Sequence, residues 1–253
     1  MWTHSIAAVI DTLLTRWPGR QERAPLVPSA THRALAPPSQ VTTALLITKL
    51  AGDLQPTSPH VVGKRLLIGA ALGAGVSMLL LSLSLGYRPD LVRASVSPVF
   101  WVKLAYAIAL FALSLRALQR LSRPGRDARA RRWWLAAPIA AVLAVAFWQL
   151  AQVAPAERMP MVVGQTAAVC PWYVFLFAMP PSAGLLWALR GLAPTRLALT
   201  GATVGIAAGG AGAGIYALHC AEATIPFMAV WYTLGVSITA MTGAAVGSWL
   251  LRW

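Results

Sequence analysis

From about residue 66 onward the chain alternates long apolar runs with short polar breaks. Six runs stand out, at 66–86, 98–118, 133–154, 168–189, 197–218 and 225–250. Roughly twenty apolar residues let a helix cross the hydrocarbon core of a bilayer. Lipid admits only helices or closed barrels, because unpaired backbone groups find no water there. The runs are continuous and do not alternate at every second residue, which selects helices over barrel strands. The pattern predicts an all-α, polytopic membrane protein with six transmembrane helices.

Residues 1–65 read differently, as an N-terminal arm ahead of a transmembrane domain at 66–253. Ile6, Val9, Ile10, Leu13 and Leu14 fall on one face of a short amphipathic helix, suited to a membrane surface or to a loosely ordered tail. His4 and Asp11 interrupt this stretch and no small-residue cleavage site follows, so it does not read as a signal peptide. Pro18, Pro25, Pro28, Pro37 and Pro38 then mark a linker without a packed core. Val41, Ala44, Leu45, Thr48, Leu50, Ala51 and Leu54 recur at three- and four-residue spacing, predicting a helix that Pro56 and Pro59 end. A helix this short is marginal in water. It is expected to fold on a partner or against the membrane.

Composition sharpens the membrane reading. The 253 residues are 58% apolar and only 11% charged, against about a quarter charged in soluble domains. The net charge of +14 invites a nucleic-acid partner, but its distribution argues for topology. With the N-terminus inside, seventeen of the Lys and Arg residues fall in inside segments, including Arg120, Arg123, Arg126, Arg129, Arg131 and Arg132 after the second run. Only Arg88, Arg93, Lys103 and Arg158 fall outside. This positive-inside bias predicts cytoplasmic N- and C-termini and no direct contact with nucleic acid.

Small residues one turn apart recur at Gly69 and Gly73, at Gly201, Gly205 and Gly209, at Gly210 and Gly214, and at Gly243 and Gly247. Such faces let helix backbones approach closely. Pro180 and Pro181 sit mid-way along the fourth run and should kink it, freeing carbonyls that need partners inside the bundle. Trp101, Trp133, Trp134, Trp172, Trp249 and Trp253 lie near the predicted membrane boundaries, as interfacial belts require.

The candidate chemistry is sparse. Cys170 and Cys220 are the only cysteines, and the topology puts both on the non-cytoplasmic side, where disulfides persist. Three readings stay open: a redox pair, a site for a divalent or thiophilic metal ion built from Cys170, His219, Cys220 and Glu222, or two buried thiols acting as small apolar residues. His219 also suits a helix-end cap and Glu222 a solvated loop acid. Lys103, one turn into the second run, is expected to snorkel to the outer surface, with a pairing to Glu222 or to a bound anion as the alternative. No acid lies at mid-depth, and there is no phosphate-binding glycine loop, nucleophile–base pair or C-x-x-C motif. An enzyme is not expected.

Several segments together resemble a known family. They are Leu50-Ala51-Gly52-Asp53-Leu54-Gln55-Pro56, Phe100-Trp101-Val102-Lys103-Leu104-Ala105-Tyr106, Val169-Cys170-Pro171-Trp172, and Leu218-His219-Cys220-Ala221-Glu222 followed by Pro226-Phe227 and Trp231-Tyr232-Thr233-Leu234-Gly235. From about Leu46 to Trp253 the chain resembles the NrsF-like negative regulators of sigma-F, bacterial six-helix membrane anti-sigma factors. Some forty residues precede the Leu-Ala-x-Asp-Leu-x-Pro element, a longer arm than the resemblance leads one to expect. The resemblance implies that residues 44–56, with Leu46, Leu50, Asp53, Leu54 and Pro56, hold an extracytoplasmic-function sigma factor. It further implies that heavy-metal or oxidative stress acting on Cys170 and Cys220 releases it. The rival readings are an integral-membrane thiol oxidoreductase, which would normally need a second cysteine pair, and a small transporter, which the lack of buried acids disfavours.

Overall fold

A computed structural model describes residues 47–48, 52, 61–122, 134–190, 192, 194 and 196–252. The chain divides into two units, 1–56 and 57–253. In the first, Ile47, Thr48 and Gly52 are helical. The remainder of the predicted arm helix, including Leu46, Leu50, Asp53, Leu54 and Pro56, lies outside the described residues, as do residues 1–40.

The second unit is helical throughout its regular structure, with no strand among the described residues. Its helices are α1 (Val61–Ser84), α2 (Leu91–Ala94), α3 (Pro98–Leu121), α4 (Ala137–Gln152), α5 (Pro155–Val163), α6 (Cys170–Leu189), α7 (Leu197–Ala217) and α8 (Ile225–Leu250). Five of them, α1, α3, α6, α7 and α8, are long and apolar enough to cross a membrane. The third predicted run differs. Trp134 and Leu135 form a 3₁₀ turn, and the α-helix proper has 16 residues. At 1.5 Å per residue it is about 24 Å long.

Among the long helices, α1 and α7 run one way and α3, α6 and α8 the other. Leu66 near the start of α1, Leu118 near the end of α3, Leu189 at the end of α6 and Leu251 beyond α8 share one core cluster. Leu81, Tyr106, Cys170, Tyr216, Cys220 and Ile225 share another, at the opposite end. The bundle thus begins and finishes at the same end, and both cysteines lie at the other.

Each helix shows its burial as a stripe. In α1 the inward residues are Leu66, Gly69, Ala70, Gly73, Ser77 and Leu81, which recur about once per turn on one face. Leu67, Leu72, Val76, Leu79 and Leu83 face outward and are exposed, an arrangement that water would penalise and lipid would not. Trp101, Trp134, Trp172 and Trp249 are also exposed, at the helix ends where the sequence placed them. Helix α7 is the opposite case. It packs on α1, α3, α6 and α8 and is buried on most of its circumference.

The glycine faces are helix contacts, as expected. A Cβ on Gly69 would strike the backbone of Gly184 across the α1–α6 crossing, and one on Gly205 would strike the carbonyl of Thr239 across α7–α8. The double proline is also resolved. Pro181 cannot donate to the carbonyl of Phe177, four residues earlier. The buried Ser77 hydroxyl of α1 donates to that carbonyl instead, at 2.8 Å.

Candidate functional site

The seven residues between α7 and α8, Leu218 to Thr224, organise the cysteine end. Helix α7 stops because Leu218, His219 and Cys220 turn back, donating N–H bonds to Ile215 and Tyr216 carbonyls. Cys220 is thereby folded inward and is 2% exposed. Cys170, the first residue of α6, is fully buried in the same apolar cluster with Val174, Tyr216, Phe227 and Tyr232. Both thiols are free. Tyr216 stacks on Tyr173 at 5.5 Å and on Phe177 at 6.4 Å and tilts against Tyr232 at 6.0 Å, making an aromatic layer beside the sulfurs.

Lys103 enters this layer from α3. It falls on the inward stripe formed by Phe100, Tyr106, Ala107, Leu110, Ser114 and Leu118, and it is 1% exposed. The expected snorkel to the outer surface does not occur. The stripe carries the amine inward, where Nζ donates to the Glu222 carbonyl and stands 3.7 Å from Cys220 Sγ. It also faces the ring of Tyr232, 5.6 Å from its centroid. The Tyr232 hydroxyl is buried without a hydrogen-bond partner among the described residues.

Glu222 is not a freely solvated loop acid. Its Oε1 accepts from the backbone N–H groups of Gln165 and Thr166 at 2.8 and 3.1 Å, and from the Thr166 hydroxyl at 3.1 Å. Gly164 makes this approach feasible. Its φ is +55°, and a Cβ there would strike the Glu222 carboxylate and the Phe227 ring. Thr224 Oγ1 adds a bond to the Met161 carbonyl, and Trp231 Nε1 one to Val162. Glu222 and Thr224 of the loop, with Trp231 of α8, thus hold the last turn of α5 and the connection that follows it.

Its other side is held by residues 86–90. The Arg88 N–H donates to Leu218 O, and Arg88 Nη1 donates to Cys220 O at 3.2 Å. Arg88 Nε and Nη2 grip both oxygens of Asp90 at 2.7 Å. That bidentate bond holds the Asp90 carboxyl below the usual carboxylate range and raises the Arg88 guanidinium further. His219 Nδ1 lies 3.0 Å from the Gly86 carbonyl.

These partners engage one polar atom each of His219 and Glu222, two of the four candidate metal ligands. Among the described residues no three His, Cys, Asp or Glu groups converge as a metal ion requires. His219 is turned toward Gly86 and Glu222 toward residues 165–166, which leaves Cys170 and Cys220 with Lys103 as the chemical core. Sequence reasoning gave Lys103 the wrong exposure although its helical register with Phe100 and Tyr106 was readable. Arg88 carried no such signal, since its role depends on a loop meeting a loop.

The architecture and site define a class: an apolar helical bundle with a buried thiol pair at one end. Residues 50–253 match the family described as Negative regulator of sigma F, NrsF, and the chain belongs to it. It is 40% identical over 211 residues to a protein named Anti-sigma-F factor NrsF from Caulobacter vibrioides (strain NA1000 / CB15N), covering 82% of this chain and 98% of that one. It is 36% identical over 208 residues to the Probable anti-sigma-F factor NrsF of Azospira oryzae (strain ATCC BAA-33 / DSM 13638 / PS), with the same coverage. No solved structure matches the chain. The resemblance read from the cysteine, Pro-Phe and Trp-Tyr-Thr-Leu-Gly segments is borne out.

Proposed function

We propose that this protein is an anti-sigma factor of the bacterial inner membrane, a regulator rather than an enzyme. Its partner is an extracytoplasmic-function sigma factor, and a thiol-directed stress signal from the non-cytoplasmic side makes it let go. In this reading the bundle crosses the membrane six times, with α4 as a short crossing and both termini cytoplasmic. The parallel course of α3 and α6, which needs α4 to return the chain between them, and the positive-inside bias support that topology. Residues 1–65 reach the cytoplasm, and the segment 44–56 lays Leu46, Leu50 and Leu54 in a groove of the sigma factor, flanked by Asp53 and Pro56. The observation that carries the reading is the match of residues 50–253 to a family of sigma regulators.

Cys170 and Cys220 are the sensing residues. Their burial at the end away from the start of α1 supports this, because a change there has a whole bundle through which to act. For the switch to work, the two states must differ in sigma affinity by about 1.4 kcal/mol for each tenfold change in binding. The test uses the full-length tagged protein extracted from membranes. A sigma factor should copurify, and Leu50→Asp with Leu54→Asp should abolish its recovery. Cys170→Ser with Cys220→Ser should retain the sigma factor and silence stress induction of its regulon. Failure to recover any sigma factor overturns the anti-sigma reading, and unchanged induction in the double serine variant overturns the thiol mechanism.

A further inference from the structure

We propose that Lys103 is the third working residue of the thiol site, a positioning residue that couples the state of the Cys220 sulfur to loop 218–224. This deepens the sensing reading above and rests on it for its biological meaning. An ammonium group brings three N–H donors and no acceptor, and burying it is costly unless every donor is answered. Three acceptors face it: the Glu222 carbonyl, the Cys220 sulfur at 3.7 Å and the face of Tyr232. Among the described residues no carboxylate lies within ion-pair distance of Nζ, since Asp90 is bound to Arg88 and Glu222 Oε1 to residues 165–166. The sulfur is thus one of the three groups that answer the buried amine.

Chemistry at that sulfur must then be felt by the amine. When the pair is oxidised, two S–H bonds break, one S–S bond forms, and hydrogen peroxide takes up the two electrons and two protons to leave two waters. The Cys220 sulfur is drawn toward Cys170 and becomes a poorer acceptor. Lys103 keeps the Glu222 carbonyl and loses its second partner, so the cheapest response is a shift of the loop that supplies both. Glu222 passes that shift to Gln165 and Thr166 at the entrance to α6, and Arg88 and His219 pass it to residues 86–88. The coupling needs no titration of either group. It needs only that a stranded buried donor costs more than a moved loop.

A double-mutant cycle on the purified full-length protein tests this, read by tryptophan fluorescence during thermal unfolding under reducing conditions. Cys220→Ala should lower the midpoint by several degrees when Lys103 is present and by little in a Lys103→Met background. Cys220→Ser, which keeps an acceptor, should be milder than Cys220→Ala only while Lys103 is present. Additive effects of the two positions would overturn the proposal. If Lys103→Met does not accumulate, the alanine and serine variants at 220 with Lys103 intact decide it, and equal midpoints would overturn it. No sigma factor enters the measurement. A positive cycle with an unresponsive regulon would therefore refute the release reading alone, and an additive cycle with a responsive regulon would refute the role of Lys103 alone.

Discussion

The glycine seams of α7 and the clasp around loop 218–224 hold the same bundle by opposite means. Along α7, Gly201 and Gly205 touch the backbone of α8, Gly210 that of α3 and Gly212 that of α6. Nothing there depends on a charge or a particular side chain beyond its smallness, so the fit is set by sterics. At the clasp, Lys103, Glu222, Arg88 and His219 reach across to backbone atoms, and each bond is open to chemical change. A seam can only fit or fail, whereas a clasp can be altered by degrees. On the proposed reading, the cysteine end would supply the switch and the seamed helices the rigid body that carries the change.

The harshest way to break the contrast is to add bulk to a seam. Gly205→Val should be the most damaging substitution considered, because the added carbons meet the Thr239 carbonyl and the Ala240 backbone, which have no rotamer to move. Overpacking of this kind costs about 3 kcal/mol or more when backbone must yield. Loss of folded protein from membranes, read by detergent extraction and gel filtration, is the expected outcome. Gly75, whose added Cβ meets nothing, is the control: Gly75→Ala should fold normally.

A cut in the clasp should be milder. Glu222→Ala removes the acceptor for two backbone N–H groups and the Thr166 hydroxyl. About 2 kcal/mol is expected, the range for hydrogen bonds to a charged group with partial exposure. Glu222→Gln should recover part of it, since its amide oxygen still accepts. The change should appear locally, as faster hydrogen exchange at residues 165–169, while the α7–α8 seam keeps its protection. Equal loosening of both regions would erase the distinction drawn here.

Between seam and clasp lies the proline joint. Ser77→Ala leaves the Phe177 carbonyl without its donor, a cost of about 1 kcal/mol. Pro181→Ala would restore an N–H four residues along from Phe177. The Ser77 substitution should then cost less in that background, and thermal midpoints of the four variants measure the difference. Equal costs in both backgrounds would mean that the serine answers no vacancy made by the proline.

Much of this was legible in the residues. Apolar run length located all five long helices, because lipid forces continuous hydrophobicity onto any crossing segment. Small-residue spacing located the seams. The start of α1 was placed five residues late, at 66 where the helix begins at Val61, since Lys64 and Arg65 broke the apolar run without breaking the helix. The site was harder. The two cysteines stood out by rarity, but the partners of Glu222 are backbone amides, which carry no signature in a sequence. His219 and Glu222 suggested ligands by residue type alone, and only the turns at Gly86 and Gly164 show that His219 Nδ1 and Glu222 Oε1 have backbone partners.

The smallest effect belongs to Asp90, which touches the clasp only by aiming Arg88. Its carboxylate holds Nε and Nη2, leaving Nη1 directed at the Cys220 carbonyl. The arginine lowers the carboxyl's proton affinity in the folded state. Stability from this pair is therefore complete above the ordinary carboxylate value near pH ~4 and is lost as pH falls through the lowered folded value. Because Asp90 is exposed, the contribution is small and screened by salt. Thermal midpoints of the unaltered protein and of Asp90→Asn should differ slightly at neutral pH and converge in acid. The gap should narrow in high salt at neutral pH. A gap that persisted in acid would mean that Asp90 acts through packing or capping, and that Arg88 reaches Cys220 without its help.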